Sequence, residues 1–92
     1  MTWKVFVTRK TWKKILLLPN EMQNICALFL KELEVAGPHR HNWSHYGKLG
    51  DETYHCHLKG GRTTYVICWE IKNKRTKEIE VYYVGTHEKA PY

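Results

Sequence analysis

No apolar run in the sequence approaches the ~20 residues that a helix needs to cross a bilayer. The opening stretch, MTWKVFVTRK, alternates apolar and polar side chains and lacks the ~7–15-residue apolar segment of a secretory signal. No membrane partner is expected, and the expected location is the cytoplasm. Cysteine is scarce and odd in number: Cys26, Cys56 and Cys68, none in a CxxC pair. That excludes a complete disulfide framework and leaves three small, half-buried apolar side chains as the reading. There is no Walker loop, GxGxxG, HExxH or GxSxG, so the common nucleotide, zinc-protease and serine-hydrolase signatures are missing. The carboxylates Asp51, Glu52, Glu70, Glu78, Glu80 and Glu88 show no obvious pairing, which argues against two-carboxylate hydrolysis.

Acidic residues are also few. Nine Asp and Glu face fifteen Lys and Arg, giving +6, with six histidines beside them. A small basic domain is drawn to polyanions such as nucleic acid, a ribosome, an anionic membrane or an acidic protein; a soluble surface alone is the plainer alternative. Hydrophobic residues at 42% and charged residues at 26% place the chain among folded domains and not disordered ones. Ninety-two residues make one domain, 1–92, burying only ~60–65% of the surface its unfolded form exposes.

The pattern predicts α+β architecture. Trp3, Val5 and Val7 alternate with Lys4, Phe6 and Thr8 in a first strand. Thr8 caps a short helix in which Trp12, Ile15 and Leu16 recur at helical spacing, away from Arg9, Lys10, Lys13 and Lys14. Pro19 stops it, and Asn20 with Gln23 reads as a capping box for a second helix. Met22, Ile25, Cys26, Phe29 and Leu33 form that helix's stripe, closed by Gly37-Pro38. A loop over 37–51 holds a short strand near 46–49. Strands follow at 52–58, 63–71 and 78–86, joined by the hairpin segments KGGR and KNKRTK. The order β-α-α-β-β-β implies a two-helix hairpin on one face of a small twisted antiparallel sheet, with the other face open. By parity, Cys56 and Leu58 point to the helices while His55 and His57 share the open face, ~6.6 Å apart.

Histidines cluster in HRH at 39–41, at His45, in HCH at 55–57 and at His87, and Lys59 and Arg62 flank a glycine turn. Three readings stay open: surface histidines, a metal site built on His-x-His, and acid–base catalysis. The metal reading lacks a third ligand at standard spacing. RNA cleavage needs a base for the 2′-hydroxyl, an acid for the departing 5′-oxygen and a cation for the phosphorane, and a basic face with His, Arg and Tyr contains each.

The segments KKILLLPN, GPHRHNWSHYGKL, YHCHL, the GR-T-YV run and VYYVGTHEKAPY together resemble the RelE/ParE superfamily of bacterial type II toxin–antitoxin toxins, over nearly the whole chain. The resemblance implies a RelE-like fold and a ribosome-dependent mRNA endonuclease that inhibits translation without metal or other cofactor. Its expected partners are the ribosome, mRNA and a cognate antitoxin. A ParE-like toxin that binds DNA gyrase and cleaves nothing is the alternative, and an unrelated nucleic-acid-binding or zinc protein a third. Matched to the YafQ-like branch, His57 and His87 take catalytic positions, Tyr92 the C-terminal aromatic, and Arg62 the phosphate-stabilising cation. His55 is a further catalytic candidate. Lys48, Lys59, His45, Tyr46 and Trp43 are candidates for RNA contact, the two aromatics having core or loop anchoring as their alternative.

Overall fold

Thr8 turns the first strand into the first helix: its Oγ1 accepts from the Thr11 backbone N–H at 3.2 Å, satisfying one of the donors a helix start leaves free. The computed structural model describes residues 2–92. It runs β1 (Lys4–Val7), α1 (Arg9–Leu16), α2 (Asn20–Ala36), β2 (Gly47–Lys48), β3 (Thr53–Lys59), β4 (Tyr65–Asn73) and β5 (Glu78–Thr86), then a one-turn 3-10 helix over His87–Lys89. Among the described residues no helix is long and apolar enough to cross a membrane.

The sheet has strand order β1-β5-β4-β3-β2. The expected all-antiparallel sheet is corrected here to a mixed one. β3, β4 and β5 form an antiparallel meander, but β1 lies parallel to β5, with Val5 opposite Ile79. Parallel neighbours need a long crossover, and almost the whole chain intervenes between these two strands. Local periodicity carries no information about such a pairing.

Met22, Cys26, Phe29 and Leu33 of α2 pack with Ile15 of α1 against Tyr54, Cys56, Leu58, Ile67, Trp69, Ile79, Val81 and Val84 of the sheet. α1 rests mainly on β5 and touches α2 only lightly. Its buried residues are Thr11 and Ile15, whereas Trp12 and Leu16 are 47% and 55% exposed, so the expected Trp12–Ile15–Leu16 stripe is shifted by one position. The expected capping box is also replaced. Pro19 is the residue before α2, and Gln23 instead donates from Nε2 to the carbonyls of Leu16 (3.1 Å) and Leu18 (2.9 Å). It closes the end of α1, whose last carbonyls have no partners within the helix. α2 ends at Gly37, at φ 90°, where an added Cβ would fall 2.9 Å from Trp3 Nε1. Both the backbone and the Trp3 indole require glycine there.

On the opposite face a smaller cluster forms from Val66, Cys68 and Tyr83, with Leu49, Tyr82 and Ala90 against it. Cys68 pairs with Tyr83 but Trp69 with Val81, so Tyr82 is an extra residue in β5, a bulge that re-aims the strand. The face expected to be open is therefore partly covered by the chain's own C-terminal segment. All three cysteines are free and fully buried, more so than expected. Burial pushes the Cys56 and Cys68 thiols up to about 12 and Cys26 to about 11, so they are inert neutral side chains.

Candidate active site

The loop between α2 and β3 is tied down at Glu32, whose Oε1 accepts from Arg40 Nη1 (3.1 Å), Asn42 Nδ2 (3.1 Å) and Trp43 Nε1 (3.0 Å). Burial alone would raise this carboxyl, but the three hydrogen bonds and the Arg40 charge hold it below the ordinary carboxylate range. Trp43 meets Phe29 edge-on at 4.9 Å, and Tyr46 stacks over Tyr54 at 6.0 Å. With the loop so anchored, the Ser44 carbonyl accepts from the His57 N–H at 2.7 Å. His45 takes a left-handed backbone, φ 56°, uncommon for a residue with a side chain. Its ring lands on that of His57, centroids 4.1 Å apart, and Ser44 Oγ lies 2.9 Å from His45 Nδ1.

The far side of His57 is closed by the C-terminal segment. The His87 N–H donates to the Thr64 carbonyl at 2.8 Å, setting the His87 ring 5.4 Å from His57. Beyond the 3-10 turn, Tyr92 comes back over His55 at 4.7 Å and stands 6.0 Å from His87. The four histidines and the tyrosine singled out in the sequence thus meet on one face. Arg62 joins them through a cleft of about 320 Å³ that it lines with Thr63, Thr64, Thr86, His87 and Glu88.

Burial lowers the pKa values of His55 and His57, and the neighbouring imidazoles lower them further: His45 and His87 for both, with His55 acting also on His57. Both are therefore mainly neutral near pH 7 and able to accept a proton. His55 Nδ1 is buried and has no hydrogen-bond partner among the described residues. At the other end of this face Lys72 bridges Glu70 (3.0 Å) and Glu80 (3.6 Å), so the basic surface is bounded there by a patch with one excess negative charge.

The other sequence candidates lie elsewhere. Lys48 is exposed, its Nζ 5.9 Å from the centre of the Tyr54 ring. Lys59 is engaged by Glu21 at the start of α2, at 2.8 Å. Trp43 and Tyr46 are half-buried against the helix-side core, where they anchor the loop. Residues not anticipated from sequence are Ser44, which engages His45, and the threonines of the Arg62 cleft; their adjacency in WSHY and GRTT was the available signal. Among the described residues no three His, Cys, Asp or Glu side chains are grouped to hold a metal ion.

No family model matches the chain, and no curated protein matches it significantly. Among solved structures it is similar to a chain of the archaeal RelE–RelB complex from Pyrococcus horikoshii OT3, with TM-score 0.68 and 18% identity, over 98% of this chain and 100% of that one. At that identity the likeness is one of architecture, and with the helices and five-stranded sheet described above, the chain has the RelE fold.

Proposed function

We propose that this protein is the toxin of a type II toxin–antitoxin system, an endoribonuclease that cuts mRNA on the ribosome and so stops translation. The observation that carries this reading is the convergence of His45, His55, His57 and His87 with Tyr92 beside the Arg62 cleft. A protein that only binds its target has no need of such a constellation, which is why a gyrase-binding toxin fits less well.

Neutral His57 takes the proton from a ribose 2′-hydroxyl, and the 2′-oxygen attacks the adjacent phosphorus. As the bond from phosphorus to the 5′-oxygen breaks, a protonated His87 supplies that oxygen with its proton. Arg62 offsets the charge on the phosphorane. The products are a 2′,3′-cyclic phosphate and a 5′-hydroxyl, and no step in this scheme draws on a metal. Tyr92 positions the nucleotide over His55.

The similar solved chain belongs to a RelE–RelB complex, and by the same reading this toxin is held by an antitoxin of its own. Inducing the chain in bacteria and mapping mRNA 5′ ends tests the proposal: new ends within translated codons are expected, suppressed by co-expression of the neighbouring reading frame. Growth arrest with intact mRNA and inhibited gyrase would assign the protein to the gyrase-binding class instead.

A further inference from the structure

A second basic cleft, of about 240 Å³, lies where α1 meets the C-terminal segment, lined by Lys10, Thr11, Lys14, Tyr82, Tyr83, Lys89 and Pro91. Lys10 and Lys14 are one turn apart on α1, a spacing at which like charges destabilise a helix by a few tenths of a kcal/mol. Lys89 arrives from the far end of the chain. Among the described residues none of these three ammonium groups has a carboxylate within ion-pair distance, while Lys31, Lys59, Lys72 and Lys74 each have at least one. The fold therefore gathers three like charges and leaves them uncompensated. Lys14 is held in place over the Tyr83 ring, 5.3 Å from its centre. Among the described residues no carboxylate side chain lines the cleft.

Lys89 stands two residues beyond His87 in the same 3-10 turn, so one turn of backbone joins the cleft to the histidine cluster. We infer that this cleft is a phosphate-binding extension of the active site, taking the phosphodiester backbone of a single RNA strand that passes the histidine cluster. The inference rests on the endoribonuclease reading for its ligand class. Charge and an uncompensated cleft supply the binding, and continuity with the imidazoles selects RNA over other polyanions. The tyrosines form its walls and Lys10, Lys14 and Lys89 its anchors.

The test is fluorescence anisotropy with a labelled single-stranded 12-mer of 2′-O-methyl RNA, which offers no 2′-hydroxyl for cleavage. It compares the full chain with Lys10→Gln/Lys14→Gln/Lys89→Gln and with Lys31→Gln/Lys72→Gln/Lys74→Gln, which changes net charge equally. Each lost phosphate contact lowers the slope of log K against log[salt] by ~0.7 for a single strand. The cleft variant should lose about 2 in slope and bind roughly 10- to 100-fold more weakly at 0.1 M salt, while the control variant keeps the parental slope. Equal slopes for parent and cleft variant, or equal losses in both triple variants, would overturn the inference. So would a labelled polyglutamate peptide that binds the parent as tightly as the RNA. Cleavage of mRNA on programmed ribosomes, compared between the parent and His57→Ala/His87→Ala, reports separately on the chemistry: retained 12-mer binding by a parent that cuts no ribosome-bound mRNA would sink the nuclease reading and leave the cleft standing.

Discussion

The imidazole of His45 lies on that of His57, with planes 19° from parallel and centroids 4.1 Å apart. Two positive charges at that separation repel by ~1 kcal/mol in water and by ~4 kcal/mol at an effective dielectric of 20. The stack therefore resists taking up two protons, and the loop that delivers His45 helps to keep His57 in its basic form.

Titration follows directly. His57 should show a midpoint below 6.5, because burial and then the His45, His87 and His55 charges disfavour its imidazolium. His45→Gln should move that midpoint upward. Histidine-selective NMR across pH 4.5–8 measures both, and a parental His57 midpoint at or above 6.5 would contradict the geometry.

The same shifts bear on stability. His55 and His57 are both depressed below 6.5 in the fold, so on acidification the unfolded chain takes up protons first. Their contribution is complete above pH 6.5 and is lost as pH falls from 6.5 through the folded midpoints. Tm should decline in that window, and less so in His55→Gln/His57→Gln. Parallel Tm–pH curves for the two proteins would refute this linkage.

Gly85 tests the support of the C-terminal segment. An added Cβ there would fall 2.8 Å from Tyr83 Oη and 3.1 Å from its Cζ, and that hydroxyl donates to the Thr86 carbonyl at 2.7 Å. Gly85→Ala should cost ~1–3 kcal/mol, the usual scale of overpacking. In a Tyr83→Phe background the cost should be smaller, since the nearest clashing atom is gone. Urea denaturation of the double-mutant cycle reads the coupling; strict additivity would count against it.

Glu32 tests the anchoring of the loop. Glu32→Ala leaves Arg40, Asn42 and Trp43 without their common acceptor and should lower stability by ~1–3 kcal/mol. It should also erase the upfield ring-current shift that His45 protons receive from His57, seen by NMR. An unaltered His45 spectrum would mean that the Glu32 network does not set the stack.

Much of this was legible in the sequence because it is local. Thr8 caps α1, the stripe from Met22 to Leu33 faces the core, and the parity of the HCH strand separates Cys56 from His55 and His57. What was not legible depends on distant contacts. The parallel β1–β5 pair joins opposite ends of the chain, and Gln23 satisfies carbonyls of another helix instead of its own start. The loop's folding over Phe29 and Tyr54, which gives Trp43 and Tyr46 their anchoring contacts, is likewise set by distant residues. Tyr92 could be singled out by resemblance, but only the three-dimensional path of the C-terminal segment brings it onto His55.

The central claim is that these imidazoles transfer protons during RNA cleavage, and end-group analysis of RNA cut by the purified protein on programmed ribosomes tests it most directly. The parent should yield 5′-hydroxyl and 2′,3′-cyclic phosphate ends, and His57→Ala or His87→Ala should slow their formation ~10²–10⁴-fold while the far-UV spectrum and Tm stay near parental values. Cleavage at the parental rate by both variants, or products bearing 5′-phosphates, would contradict the account.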